Sequence, residues 1–153
     1  MRIYLPATMA DLAATEGLTA RSGHVVTPGL RAELGTDDPE SAEHVALLLA
    51  AEESLMLLAD AQGHGGIGLR RVIVAADIEP VPVPPGEHAP VSAPAVPWRQ
   101  VVSFHVDDAD DFRAVQVLTA AAAGDRAARA AAADLDLLWY DVSERLDLLD
   151  QDQ

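Results

Sequence analysis

The sequence contains no cysteine and no lysine, and each absence excludes a class of chemistry. Without cysteine, the chain can form no disulfide and no thiolate zinc site, and it has no cysteine nucleophile. Without lysine, it cannot contain a phosphate-binding loop that ends in Gly-Lys-Ser or Gly-Lys-Thr. The motifs H-E-x-x-H and G-x-S-x-G do not occur either, so the usual local signatures of metalloproteases and α/β-hydrolases are missing.

Aromatic residues and long apolar runs are scarce as well. Aromatic residues make up 4% of the chain although hydrophobic residues make up 50%, so the core must consist mainly of Leu, Val and Ala. No apolar run approaches the roughly 18 residues that suggest a membrane-spanning helix, and the N-terminal residues lack the basic and apolar regions of a signal peptide. We expect a soluble, cytoplasmic protein that makes no membrane contact.

The charge of the chain is strongly negative, with a formal net value of −15. Such a charge repels a phosphate backbone, and the ten arginines are scattered rather than gathered into a stripe. We therefore expect no nucleic-acid partner. A length of 153 residues is typical of one domain, so residues 1–153 are predicted to form a single domain.

The hydrophobic pattern predicts secondary structure in the order strand, helix, strand, strand, helix, strand. The predicted segments are strands at residues 1–6, 70–78, 99–107 and 137–142 and helices at residues 38–61 and 109–123. This order is that of a split βαβ, or ferredoxin-like, plan. We predict an α+β fold, a two-layer sandwich with a four-stranded, mainly antiparallel sheet and the major helices on one face. Residues 8–36 would form an insertion after the first strand.

Two segments leave alternatives open. Residues 135–149 fit a single helix about as well as a strand over 137–142 followed by a short helix, and we favour the strand and helix. Residues 79–98 hold seven of the ten prolines and are predicted to be an irregular or polyproline-like loop between strands. This loop could be a ligand for a partner protein or a lid, although a solvated connection is the favoured interpretation.

A glycine-rich segment at residues 63–68 reads GHGGIG and matches the dinucleotide-binding pattern G-x-G-x-x-G. That motif requires a strand before it and a helix after it, so that helix N–H groups meet the pyrophosphate. Here a predicted helix precedes the glycines and a predicted strand follows them. We therefore interpret the segment as a helix-to-strand connection and expect no cofactor.

One cluster of residues could carry chemistry. His105, Asp107, Asp108 and Asp111 lie within seven residues of one another and are the candidate metal ligands. Carboxylate oxygens of this kind suit Mg²⁺, Mn²⁺ or Ca²⁺ better than zinc. Among them, His105, Asp107 and Asp111 are the candidate catalytic residues of a small metal-dependent hydrolase.

The same aspartates have a structural explanation, which we favour. Asp107 or Asp108 would accept the free N–H groups at the start of the next helix, and Asp110 and Asp111 would complement its dipole. The alternation along the strand places Phe104 in the core. The sequence therefore predicts helix capping more strongly than metal binding.

Other polar and aromatic residues also have two interpretations. Arg70 and Arg71 could bind an anion, although exposure or pairing with carboxylates is more usual for arginines at the start of a strand. Ser103 and His105 could line a ligand pocket if their face of the sheet is uncovered. Three further aromatic residues could line a pocket, although we interpret them as core anchors or interface residues, and they are Trp98, Trp139 and Tyr140.

Several blocks of sequence carry a resemblance that spans nearly the whole chain. They read MRIYLPAT at residues 1–8, VTP at 26–28, RRVIVAAD at 70–77, HVDDAD at 105–110 and LLWYDVSE at 137–144. Together they resemble a family of small actinobacterial proteins known only as a domain of unknown function. The resemblance implies no activity, cofactor or catalytic residue.

These observations favour a non-catalytic binding or regulatory module that acts through protein contacts. We expect a protein partner or self-association as a homodimer, because catalytic motifs are missing and the few aromatic residues lie near predicted strand ends. The alternative is the small metal-dependent hydrolase that would use His105, Asp107 and Asp111.

Overall fold

A computed structural model of the protein describes residues 1–27, 30–32, 35, 38–61, 69–83 and 89–151. The glycine-rich connection predicted at residues 63–68 lies outside the described residues. None of the described helices is long and apolar enough to cross a lipid bilayer.

The described chain contains both strands and helices. The strands are β1 (Arg2–Ala7), β2 (Gly17–Leu18), β3 (Arg21–Gly23), β4 (Val72–Asp77), β5 (Val91–Ala93), β6 (Val96–Pro97), β7 (Val101–Asp107) and β8 (Leu137–Asp141). The α-helices are α1 (Pro39–Ala61), α2 (Phe112–Ala122), α3 (Arg126–Ala132) and α4 (Arg145–Gln151). Turns of 3₁₀-helix occur at Ala10–Ala13, Trp98–Gln100 and Val142–Glu144.

Four of the strands form one antiparallel sheet in the order β1-β4-β7-β8. The predicted α+β sandwich with a four-stranded antiparallel sheet is therefore confirmed, and the C-terminal segment is a strand followed by a short helix. The ferredoxin-like strand order is wrong. A split βαβ plan separates two strands joined by a helix with a third strand, whereas β1 and β4 are direct neighbours.

The insertion after β1 explains the observed strand order. His24 pairs antiparallel with Tyr4 through two N–H···O bonds of 2.9 Å, so the insertion runs back along β1. Helix α1 then runs in the direction of β1 and returns to the end where β1 stops. There the Ser54 hydroxyl donates to the Ala7 carbonyl at 2.7 Å and accepts the Val72 N–H at 3.0 Å. The chain enters β4 where it left β1, and the two strands pair directly.

One face of the sheet is covered by α1, whose alanines allow a close approach. On this face, Tyr4, Ile73 and Ala75 pack against Ala46 and Ala50. Helices α2 and α3 pack on α1 through a second apolar cluster, which comprises Leu55, Leu118, Ala121 and Ala132. The predicted placement of the major helices on one face is confirmed.

The opposite face carries Phe104, which is fully buried as the alternation along β7 predicts. The insertion, the proline-rich segment and Leu148 of α4 cover this face. Strands β5 and β6 pair with β3 and β2, and Val91 and Val96 are 0% and 1% exposed. The interpretation of the proline-rich segment as a solvated loop is therefore wrong for residues 91–97, because burial of its valines outweighs the irregularity that proline imposes.

The aromatic side chains divide between the core and the surface. Trp98 packs edge-on against Phe104 with ring centroids 6.0 Å apart, and its indole N–H donates to the Ala14 carbonyl at 2.8 Å. Tyr140 packs against the same core. In contrast, Trp139 on the adjacent position of β8 is 60% exposed. The exposed Trp139 gives β8 an apolar surface that could contact another protein.

Candidate functional site

Asp107 lies at the end of β7 in a buried ion pair with Arg71. The register Val72↔Val106 places Arg71 opposite Asp107 across the β4–β7 pair. The Arg71 guanidinium donates to both carboxylate oxygens, at 2.8 and 2.9 Å, and the Arg71 backbone N–H donates to Oδ2 at 2.7 Å. The side chain of Asp107 is 1% exposed and that of Arg71 is 2% exposed. Asp107 is therefore held by three charge-assisted or backbone hydrogen bonds and joins two strands.

Arg70 contacts the same residue from the backbone side. Its Nε donates to the Asp107 carbonyl at 2.9 Å, and its side chain is buried. Arg70 and Arg71, the candidate anion-binding residues, thus both bind Asp107. Arg71 binds its carboxylate and Arg70 binds its backbone carbonyl. This arrangement fixes the point at which β4 and β7 begin to pair.

The other two candidate aspartates organise the start of α2. Asp111 is the N-cap, and its Oδ1 accepts the N–H groups of Arg113 and Ala114 at 3.0 and 3.2 Å. Asp108 Oδ1 accepts the Asp110 N–H at 2.9 Å in the turn that precedes the helix. Capping by an aspartate is thus observed, at Asp111. The predicted cap at Asp107 or Asp108 is wrong, because the helix begins at Phe112 and not at residue 109. Asp107 points to Arg71 instead, and Asp108 binds within the turn before the helix.

The four candidate metal ligands consequently serve three different structural roles. His105 packs on an aromatic ring, Asp107 pairs with Arg71, and Asp108 and Asp111 bind N–H groups around the start of α2. Within the described part of the chain, no group of three or more His, Cys, Asp or Glu residues is placed to hold a metal ion.

A substitution separates the capping role of Asp111 from metal binding. We expect Asp111→Ala to lower the free energy of unfolding by about 1 kcal/mol, because two helix N–H groups lose their acceptor. The exposed neighbour Asp110 supplies the control, and Asp110→Ala should change stability by less than about 0.5 kcal/mol. Urea unfolding with and without Mn²⁺ measures both. A Mn²⁺-dependent stabilisation that disappears in Asp111→Ala would contradict a purely structural role.

His105 lies on the helix side of the sheet and is half-buried. Its ring packs edge-on against Tyr4, with centroids 6.4 Å apart. Burial lowers the pKa of His105, and the nearby Arg2 guanidinium lowers it further. Ser103 on the same face is buried, so the sheet is covered there. His105 therefore acts as a neutral packing residue at neutral pH.

This lowered pKa predicts a pH-dependent stability. Unfolded chains bind the imidazole proton near pH 6.5, whereas the folded protein binds it only at lower pH. The unfolded state then holds more protons in that window, and the stability falls as the pH falls below about 6.5. We expect His105→Gln to reduce this loss, because the substitution removes the imidazole. Urea midpoints from pH 7.5 down to pH 5 test this, and equal slopes for wild type and His105→Gln would contradict it.

The outer edge of β8 is a feature that the sequence analysis did not locate. Within the described residues, β8 pairs only with β7 and borders the sheet. The Asp107 N–H donates to the Arg71 carbonyl at 3.3 Å, so odd-numbered residues of β7 turn their N–H groups to β4. The backbone groups of its even-numbered residues therefore point to β8. Val106 pairs with Leu138 and Phe104 pairs with Tyr140.

Alternation then places the remaining backbone groups of β8 on the open side. Leu137, Trp139 and Asp141 direct their N–H and C=O groups away from β7. The Asp141 N–H agrees with this assignment, since it donates to Glu144 Oε2 at 2.8 Å outside the sheet. The opposite border of the sheet differs, because His24 bonds to both backbone groups of Tyr4 in β1. The β8 edge is thus the more open border of the sheet.

Comparison with known proteins adds a family and no activity. No curated protein and no solved structure shows significant similarity to the chain. A model of a family of unknown function, DUF6912, matches residues 1–149. This match covers every strand of the described residues and most of α4. The chain therefore belongs to the family of unknown function DUF6912.

Proposed function

We propose that the protein is a non-catalytic binding module that acts through protein contacts, and that its partner is a second copy of the chain. The observation that carries this proposal is the open edge of β8. An edge strand with free N–H and C=O groups is a template for pairing with another strand. A two-fold axis through such an edge gives an isologous dimer with a continuous sheet.

The sequence of β8 suits pairing with itself. In an antiparallel pair centred on Trp139, the two Trp139 residues face each other and exchange two N–H···O bonds. Leu138 then lies opposite Tyr140, and Leu137 lies opposite Asp141. Like charges directly opposite each other destabilise a strand pair. In this register, no two like charges of β8 face each other.

Exposed apolar side chains add contact area to this edge. Leu138 and Trp139 project on opposite faces of β8, and both are exposed. Paired indole rings contribute beyond the area that they bury. The strand is short and Glu144 occupies the Asp141 N–H, so the pairing ends after a few residues and favours a dimer over open-ended aggregation.

The net charge opposes this association and gives it a characteristic salt dependence. Each copy carries a formal charge of −15, so two copies repel each other at long range. Salt screens this repulsion. We therefore expect dimerisation to strengthen as the salt concentration rises, in contrast to an interface held by complementary charges.

The experiment is sedimentation velocity over a concentration series with two substitutions at one position. Trp139→Pro removes the outward N–H, which β7 does not use, and edge strands tolerate proline with its nitrogen facing solvent. Trp139→Val keeps the N–H and removes only the ring. We expect a dimer for wild type, a weaker dimer for Trp139→Val and a monomer for Trp139→Pro.

Two further measurements keep the test decisive. Circular dichroism establishes that Trp139→Pro is folded, and Trp139→Lys, which places like charges at the centre of the edge, gives a monomer by another route. A wild-type protein that stays monomeric over the whole series would overturn the proposal. So would a Trp139→Pro variant that dimerises as the wild type does.

The alternative of a metal-dependent hydrolase has less support from the described residues. Its three proposed catalytic side chains are engaged in ring packing, a buried ion pair and a helix cap. The metal arm of the Asp111→Ala experiment is the measurement that would favour it.

A further inference from the structure

A cavity of about 320 Å³ lies between α1 and α3. It exists because α3 presents alanines to α1, and these short side chains leave space beside the leucines of α1. Its volume lies at the lower end of the range of ligand pockets, about 300–1,000 Å³, and therefore suits a small ligand. The cavity contains no residue of β8, so it is separate from the proposed dimer edge.

The wall of the cavity is mainly apolar, with a few charged groups. Leu48, Leu49 and Met56 of α1 form one side. Glu52 and Arg129 are exposed, and Arg71 is almost completely buried. Such a combination of apolar surface with a small number of polar groups is typical of small-molecule sites.

Arg71 is held in a defined position within this wall. Its Nε and Nη2 bind the Asp107 carboxylate, whereas Nη1 takes no part in that pair. A guanidinium has five N–H donors, and the bonds to Asp107 use two of them. A buried guanidinium that one carboxylate already orients is preorganised to bind a second acceptor without losing side-chain freedom.

Arg129 supplies a second guanidinium group to the wall of the cavity. Its Nε donates to the Ala121 carbonyl at 3.3 Å, which directs the side chain along the end of α2. Two arginines and one glutamate line the cavity, although the chain as a whole has a formal charge of −15. Asp107 compensates the charge of Arg71, so Arg129 and Glu52 are the remaining charges of the lining. The N–H groups of the two guanidinium side chains still offer several hydrogen-bond donors, which favour an acceptor such as a carboxylate over a cation.

We propose that this cavity binds a small amphipathic carboxylate. The carboxylate contacts Arg71 and Arg129, and the apolar body lies against Leu48, Leu49 and Met56. Guanidinium groups match the geometry of a carboxylate, and the leucines supply the apolar surface that a short alkyl chain buries. This site goes beyond the proposed dimer, and either one could fail without the other.

Sodium octanoate is the probe, and isothermal titration with the full-length protein is the measurement. We expect saturable binding of octanoate and at least tenfold weaker binding of octan-1-ol, which has the chain without the charge. Octylammonium should not bind. Equal affinities for octanoate and octanol would show that the arginines do not recognise the carboxylate and would overturn the proposal.

Matched variants of α3 locate the site. Arg129→Gln should weaken octanoate binding about tenfold, the effect expected for losing one charge-assisted hydrogen bond, and Arg126→Gln on the same helix should not. Ala130→Phe should fill the cavity and abolish binding, whereas Ala127→Phe adds the same ring outside the lining. All four positions are largely exposed, so the variants should fold, and circular dichroism verifies this. Unchanged octanoate binding in Arg129→Gln and Ala130→Phe would overturn the proposal.

Discussion

Replacing Asp107 with alanine is expected to lower the free energy of unfolding by about 3–5 kcal/mol, the cost of breaking a buried ion pair by removing one partner. The loss is large because Arg71 would remain charged and buried without its carboxylate. The Arg71 backbone N–H would also lose its acceptor. Such a loss is a large fraction of the stability of a typical domain, about 5–15 kcal/mol.

A double substitution identifies the cause of this loss. Arg71→Met with Asp107→Asn removes both charges and keeps an oxygen that can accept the backbone N–H of residue 71. We expect the double variant to be more stable than Asp107→Ala, because no buried charge is left uncompensated. Chemical unfolding of the three proteins measures the difference. An Asp107→Ala variant that loses less than about 1 kcal/mol, as for an exposed pair, would contradict the buried pair.

Replacing Gly17 with alanine is expected to have the second largest effect, about 2–5 kcal/mol, from overpacking and backbone strain together. Gly17 lies in β2, where it pairs with Pro97 of β6. A Cβ at this position would lie 2.1 Å from the Val96 carbonyl oxygen and 2.6 Å from the Pro97 Cα. Both are backbone atoms, so the proline-rich segment would have to move away from the insertion.

Gly124→Ala is the matched control for this experiment. Both glycines have a positive φ, +151° for Gly17 and +103° for Gly124, but no atom lies within 4 Å of a Cβ at Gly124. The control therefore measures backbone strain alone, roughly 1–3 kcal/mol. The emission of Trp98, which follows Pro97 directly, should change in Gly17→Ala only. Equal losses of stability in both variants would contradict close packing of β2 on β6.

The sequence predicted those parts of the fold that depend on local pattern. The long helix α1 and the strands β4 and β7 were predicted because their apolar periodicity is strong, and Phe104 was placed in the core by alternation alone. The strand order could not be predicted, because it depends on the direction in which the insertion runs. The pairing of His24 with Tyr4 establishes that direction, and no local sequence pattern predicts it.

The proline-rich segment shows how composition can mislead. Its prolines indicated an irregular, solvated loop, yet Val91 and Ala93 alternate with Ser92 as in any strand buried on one face. Short strands of this kind form only because β2 and β3 offer partners, and those partners are remote in sequence. Propensity could not reveal them.

The candidate residues were predicted in part. Asp107 or Asp108 was the predicted helix cap and Asp111 was expected to complement the dipole, whereas the helix begins at Phe112 and Asp111 is its N-cap. The register of β4 against β7 determines the role of Asp107, because a shift of one residue would move it away from Arg71. Trp139 was identified as a possible interface residue, but its place at an open edge follows from the strand order. The cavity beside α3 depends on how α3 packs against α1. The alanine-rich sequence of α3 has no apolar pattern that predicts this packing.

The most direct test of self-pairing through β8 is amide hydrogen exchange of individual β8 residues in dilute and in concentrated solution. The account predicts that the Tyr140 N–H, which faces β7, is protected at both concentrations. The Trp139 N–H should exchange rapidly in dilute solution and become protected on concentration, as the two outer edges pair. A Trp139 amide whose exchange rate is the same at both concentrations would contradict the proposed dimer.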